Sequence, residues 1–394
     1  MKIIFAAFRH DPLNVSKRQG ADRQFLDALN ANGCDCKVVG PFNGEINILE
    51  RLFRRIIKQL SNNAYMKHDL TNICRTARSL DKIFKHMSAD LVFSLYPASL
   101  AFYGNKTPCV FRTDATIKGV LKESPQFLSV APLLRWFALW IEKRALHRSI
   151  LIITHSEWSR NILKEDYGIS PEKIFVMPNP SSLPATSIPD KLTCYEEKNS
   201  PLKLLFIGQD PKRKGLDVSL KVVDELNHAG IKAVLTICGL TGESTPTIHY
   251  AGKLHLDRQD ELGRYTDYLS ESHLLLHPAL FDPAPRVTAE AAAFGTPTIT
   301  NNTGGLGTSV LDGVSGIVLP KGSPAEAYVQ AIIDLVNDPE RYRRLCQTTR
   351  ERYEKELNWD VAGKRLVSVL EEAVKEHNAK RMNCWKEICQ GCFT

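Results

Sequence analysis

A chain of 394 residues, 43% hydrophobic and 24% charged, is long enough for two or three ordinary domains and too evenly mixed for a disordered or fibrous protein. Its net charge of +7 is lopsided, since residues 1–180 hold 26 Lys+Arg against 16 Asp+Glu, which leaves 25 against 28 for the remainder. No run reaches the roughly 18 uncharged apolar residues of a membrane span, and ten cysteines without a paired framework read as free thiols, so a cytoplasmic protein is expected.

The opening MKIIFAAFRHDP has an apolar run too short for a signal-peptide core before Arg9 and His10, and it predicts a first buried strand. Short runs rich in Val, Ile, Leu and Phe then alternate with helical segments. The first half yields predicted strands at 2–7, 36–39, 91–94, 109–112 and 150–154. The second yields 202–207, 232–238, 248–251, 274–277, 298–300 and 316–319. Continuously apolar strands separated by helices are how a parallel sheet covered on both faces reads.

Three helical stretches in the first half, 51–60, 73–86 and 135–148, alternate cations with aliphatic and aromatic residues. Two readings stay open for them. Their apolar stripe packs on a sheet while Lys and Arg face water, or the helices lie on an anionic bilayer or face an acidic acceptor.

Between the two strand sets lies MPNPSSLPATSIPDKLTCYEEKNSP (177–201), with five prolines and no period. The expected domains are therefore 1–178 and 202–357, with a linker at 179–201 and a C-terminal helix and tail at 358–394 returning to the first domain. The fold class is α/β: two doubly wound, Rossmann-like units facing a cleft, with ligands beyond the carboxyl ends of the strands. In the tail, Cys384, Cys389 and Cys392 fall one short of the four ligands of a closed zinc site, so no metal is expected.

Three motifs of the second half carry chemistry. LLFIGQDPKRKGLDV (204–218) runs from a strand through Gly208 into a turn with Lys212, Arg213 and Lys214, then Gly215 and a helix starting near Asp217. Cations at a strand's carboxyl end beside a helix start suit an anion, although a solvated structural turn fits too. The turn is neither a G-x-G-x-x-G nor a Walker loop.

FDPAPRVTAEAAAFGTP (281–297) sets Asp282 in a loop and Glu290 on about the second turn of a helix beginning near Arg286 or Val287, with Pro297 behind the stop. Carboxylates at such a place accept hydrogen bonds from vicinal hydroxyls of a sugar or ribose, or simply match the helix dipole. TITNNTGGLGTSVLDGVSGIVLP (298–320) places Gly304 and Gly305 after a strand, where bare amides would approach a phosphate, or where a turn needs them. All three motifs fall at strand carboxyl ends of one domain, as a nucleotide-sugar site requires.

In this order the motifs resemble the donor domain of retaining GT-B glycosyltransferases of family four, the group 1 glycosyl transferases. The matching stretches are FIGQDPKRKG, DPAPRVTAEAAAFGTP, TGGLGTSVLDGVSGIVLP and the later NWDVAGKRL, across residues 203–366. ITHSEWSRNILKEDYGISPEKIFVMPNP (152–180) fits the family's segment before the linker, whereas residues 1–110 offer little beyond strand pattern. The resemblance implies a metal-independent hexosyltransferase with an N-terminal acceptor domain, whose donor is a nucleotide-diphosphate sugar of UDP or GDP type and which needs no other cofactor. It implies that Lys214 binds the pyrophosphate, Glu290 the ribose, Asp282 the transferred sugar, and the amides around Ala284, Pro285, Arg286 and Val287 its remaining groups. Gly208, Arg213, Gly304 and Gly305 complete the implied donor site.

This chain departs from the family in three places. Its first acid is Asp282 rather than Glu, and Gln209 replaces an arginine, leaving Arg213 or Lys212 as second cation. VFRTDATIKG puts Asp114 where many relatives have a catalytic histidine. The acceptor is open, a lipid-linked sugar or polysaccharide being compatible, as is contact of the basic helices with the inner face of the membrane. No nucleic-acid partner is expected. Two alternatives remain: a catalytically silent partner subunit of the same fold, and another enzyme of that fold, such as a sugar-nucleotide epimerase or a phosphorylase.

Overall fold

The computed structural model describes residues 1–7, 11–13, 21–40, 77–83, 86–96, 100–123, 132–189 and 201–391, with Leu52 and Arg55. All of 51–60 but Leu52 and Arg55, and residues 73–76, 84 and 85 of the stretch 73–86, lie outside the described residues, as do the side chains of Cys384 and Cys389 and all of Cys392. The chain divides into two units. The first comprises Met1–Thr154, Ser159–Met177 and Gly363–Thr394, and the second His155–Trp158 and Pro178–Ala362.

In the first unit β1 (Lys2–Ala6), β2 (Asp35–Val39), β3 (Leu91–Ser94), β4 (Cys109–Thr113), β5 (Leu151–Thr154) and β6 (Ile174–Val176) form one sheet in the order β2-β1-β3-β4-β5-β6. Every pairing is parallel. The sequence predicts five of these strands within two residues at each end and misses β6, whose three residues sit on the sheet edge between Lys173 and the Met177-Pro178 pair. An edge strand that short has neither the length nor the two-sided burial that makes its neighbours readable.

The second unit repeats the plan with β7 (Leu202–Ile207), β8 (Ala233–Cys238), β9 (Ile248–Gly252), β10 (Leu274–His277), β11 (Thr298–Asn301) and β12 (Gly316–Leu319), ordered β12-β11-β10-β7-β8-β9. All of these pairings are parallel too. Leu204, Phe206, Leu235, Ile237, Leu274, Leu276 and Ile299 bury one face of the sheet against Val222, Val223 and Leu226 of helix Leu216–His228 and against Tyr328 and Ile332 of helix Ala325–Val336. Leu205, Leu275, Ala289, Ala292 and Phe294 belong to the core of the opposite face. Burial on both faces is why these strands read as unbroken apolar runs.

Strand order reverses between β10 and β7, which are hydrogen-bonded neighbours although β8 and β9 intervene in sequence. Chains leaving their carboxyl ends diverge to opposite faces of the sheet, opening the crevice where ligands of doubly wound folds bind. Both acidic and cationic motifs follow these two strands.

After helix Pro339–Arg352 one π-helical turn, Tyr353–Leu357, precedes the last helix, Trp359–Gly391. From Gly363 onward this helix belongs to the first unit. Gly363 lies so close to Asn32 and Ala28 that an added Cβ would be 2.8 Å from the Asn32 Nδ2, and the Arg365 guanidinium stands 5.1 Å from the Phe175 ring centroid. The expected return of the C-terminal helix is thus met through a small-residue contact and an arginine stacked on an edge-strand aromatic.

Candidate functional site

Chemistry gathers in the second unit at the β7/β10 switch point. After β7 the chain enters a single helical turn, Pro211–Lys214, whose N-cap Asp210 accepts a hydrogen bond from the Arg213 amide at 3.1 Å. Gly215 then adopts φ +74, and a Cβ there would overlap the Pro278 carbonyl oxygen. The glycine lets the cationic turn close onto the loop after β10, where the Leu280 amide donates to the Arg213 carbonyl at 2.9 Å and Arg213 Nη1 to the Phe281 carbonyl at 3.0 Å. Gly215→Ala must combine a left-handed alanine, costing roughly 1–2 kcal/mol, with a backbone overlap. We expect a drop of several degrees in the thermal midpoint; a midpoint within 1 °C of wild type would show that the loop closes without the glycine.

This closure brings Lys214 Nζ onto Asp282 Oδ2 as a buried ion pair. The same oxygen accepts a hydrogen bond from His277 Nε2 at 3.1 Å. Burial would raise the Asp282 carboxyl, but the Lys214 charge and the His277 hydrogen bond outweigh it and hold it well below the usual carboxylate range. His277, fully buried, is pushed down by desolvation first and by Lys214 second, so its imidazole stays neutral. An ionised carboxylate only accepts hydrogen bonds, which places the imidazole proton on Nε2.

Three further bonds fix the loop. Thr300 Oγ1 donates to the His277 carbonyl at 2.7 Å, Asn301 Nδ2 to Ala279 at 3.2 Å and Thr303 Oγ1 to Leu280 at 3.1 Å. Asn179 Nδ2 pins the Ala284 carbonyl at 2.9 Å, and the 284–286 stretch leads into helix Val287–Ala293 with Arg286 as N-cap.

Glu290 lies in the first turn of that helix rather than the second, because the helix starts at Val287. Only 2% exposed, it accepts hydrogen bonds from Tyr265 Oη at 2.6 Å and from Ser182 Oγ. Burial, then the Glu290 charge, push the Tyr265 phenol far up, so it stays protonated and serves as a donor. Two hydroxyls therefore hold one edge acid in a single orientation.

At the glycine turn, of the two readings the sequence leaves open, the structural one is met at Gly305, whose amide donates to the Asp282 carbonyl at 2.8 Å. A Cβ on Gly305 would overlap the Pro283 carbonyl oxygen, and one on Gly304, at φ +54, would lie 2.6 Å from that of Asp282. These glycines act by letting two backbones touch, which positions Asp282.

In the first unit Asp114 follows β4, its carboxylate 2.6 Å from the buried Arg112 guanidinium. The helix after it, Ile117–Glu123, donates its Ile117 amide to both oxygens of buried Glu142 at 3.0 Å. Gly208, Arg213, Lys214, Asp282, the 284–287 stretch, Glu290, Gly304 and Gly305 all belong to the second unit, and Asp114 to the first. Sequence reading missed His277, Tyr265 and Ser182. A histidine ending the apolar run LLLH five residues before Asp282 was the one available signal; Tyr265 and Ser182 reach Glu290 from 25 and 108 residues away.

Comparison with known proteins places this geometry. Residues 23–182 match the model described as Glycosyltransferase Family 4, and residues 191–352 that described as Glycosyl transferases group 1. Among curated proteins, a glycogen synthase of Mycobacterium tuberculosis is 26% identical over 226 residues, 56% of this chain and 53% of that protein. A D-inositol 3-phosphate glycosyltransferase of Catenulispora acidiphila is 28% identical over 191 residues, 44% of each chain. The chain spans about half the length of these curated relatives.

Among solved structures, a sucrose-phosphate synthase from Thermosynechococcus elongatus superposes with a TM-score of 0.68 at 16% identity, covering 94% of this chain and 98% of that one. HepE of Anabaena, in complex with UDP-glucose, gives 0.61 at 15% identity, covering 94% and 100%. Such identities carry the fold alone, which is GT-B, with two Rossmann-like units. End to end, the two family models take in both units and every motif at the β7/β10 switch point, and the chain belongs to the family-four glycosyltransferases.

Proposed function

We propose that the protein is a retaining glycosyltransferase that moves a sugar from a nucleotide-diphosphate donor to an acceptor hydroxyl. The observation that supports it best is the assembly of Lys214, Asp282 and Glu290 at the switch point of one sheet. Curated relatives named as glycosyltransferases, and a structural neighbour holding UDP-glucose, favour the same reading.

In this reading Lys214 and Arg213 carry the charge that a divalent cation carries at other phosphate sites, stabilising the diphosphate as it leaves. Asp282 keeps Oδ2 on Lys214 and His277 and offers Oδ1 to a sugar hydroxyl, while Glu290 receives the ribose. As the bond from the anomeric carbon to the phosphate oxygen breaks through an oxocarbenium-like state, the acceptor oxygen bonds to that carbon from the same face. Its proton passes to the departing phosphate oxygen, so no protein nucleophile is required. Asp114 stands as the first unit's candidate for the acceptor side. A lipid-linked sugar or growing polysaccharide is the acceptor class.

Calorimetric titration with UDP, GDP and ADP, without added metal, tests the donor half of this reading. Binding of one nucleotide, lost in Glu290→Ala, is expected. No binding by any of the three would move the assignment to a catalytically silent member of the family, and phosphate-dependent product release to a phosphorylase.

A further inference from the structure

Helix Pro132–Arg148 of the first unit is apolar on two sides. Ala138, Ile141, Ala145 and Leu146 are buried. Yet Leu133, Trp136 and Trp140, at spacings that share one face of a helix, are 73%, 61% and 40% exposed. Along that same face the next turns carry Lys143, Arg144, His147 and Arg148, all exposed. The helix's single carboxylate, Glu142, points the other way and is buried.

The exposed aromatics form a supported platform. Trp140 lies 5.7 Å from Phe102 and 5.7 Å from Phe137 between ring centroids, and Phe137 lies 6.4 Å from Trp136. Arg144 braces it, its guanidinium 5.5 Å from the Phe102 ring centroid while Nε donates to the Ala101 carbonyl at 2.7 Å. Beyond the helix end Lys106 and Arg381 add cations, Arg381 Nη1 donating to the Lys106 carbonyl at 3.5 Å.

Scattered exposed apolar residues are ordinary, but two tryptophans and a leucine in line, followed by cations and no acid, are not. If the apolar stripe merely packed on the sheet, these side chains would be covered; they face outward instead. Tryptophan favours the headgroup level of a bilayer, where its ring is half-buried and its N–H hydrated, and Lys and Arg are drawn to anionic headgroups. A protein partner would match the apolar part equally well, but the cationic half selects a negatively charged surface.

We propose that the outer face of this helix, Leu133, Trp136 and Trp140 continued by Lys143, Arg144 and Arg148, docks the protein on a bilayer that carries anionic lipid. No helix among the described residues is long and apolar enough to cross a membrane, so the contact lies at the surface.

Flotation of the full chain with vesicles of phosphatidylcholine, alone or mixed with phosphatidylglycerol, tests this. Capture by the anionic vesicles, a blue shift of tryptophan emission and weakening with added salt are expected. The double variant Trp136→Ser, Trp140→Ser should lose at least tenfold in partitioning with its thermal melt and nucleotide titration unchanged. Equal capture of the variant, equal capture by neutral vesicles, or no capture would each overturn the proposal. Self-association in sedimentation velocity that the variant lacks, without vesicle capture, would overturn it in favour of an interface between copies of this chain.

Discussion

Lys214→Ala is expected to abolish donor binding and to destabilise the second unit by about 3–5 kcal/mol, the cost of stranding a buried charge. The charge stranded is that of Asp282, 6% exposed, which would keep only the His277 hydrogen bond at Oδ2. The pH dependence has a definite sign. In the wild type the folded carboxyl lies below its unfolded value of about 3.9, so the pair's stabilisation is complete above that pH and lost as pH falls toward the folded value. In the variant burial acts unopposed by Lys214, the folded carboxyl rises, and the penalty fades on acidification. The gap between the two thermal midpoints should therefore be widest at neutral pH and close below about pH 4. A gap that stays constant from pH 7 to pH 3 would mean that the ion pair does not carry the difference.

Glu290→Gln should lower nucleotide affinity at least tenfold and transfer further, while costing little stability. Glutamine keeps the side chain's volume and still accepts from Tyr265 or Ser182, whereas alanine would take its acceptor from the buried Tyr265 hydroxyl, at about 1–3 kcal/mol. Melting curves and calorimetry on both variants separate the two effects. Tyr265→Phe should weaken nucleotide affinity less than either, since it frees one side of the carboxylate without removing it. Wild-type affinity in Glu290→Gln would remove Glu290 from the donor site.

Much of the strand pattern is legible because burial on both faces of a parallel sheet demands apolar runs, and eleven of the twelve strands among the described residues fall where the sequence predicts them. Strand β6 does not, being three residues at an edge. Helix Val287–Ala293 starts at the second of the two positions its sequence offers, with Arg286 as N-cap set by the loop before it, and this puts Glu290 in the first turn. Gly304 and Gly305 read in sequence as places where a backbone needs freedom, for a phosphate or for a turn, and only the fold shows that both press against the carbonyls of Asp282 and Pro283.

Residue type and spacing alone carry the local chemistry: two α/β halves, a cationic turn, an acid pair and a glycine turn, each tied to a strand's carboxyl end. Tertiary structure decided which of these groups meet. The crossing from β7 to β10 sets Lys214 against Asp282 across 68 residues of chain, and His277, Tyr265 and Ser182 complete the two acids from separate elements. Those contacts depend on strand order and on which side of the sheet each chain leaves, and a linear pattern of apolar and polar residues encodes burial without encoding neighbours.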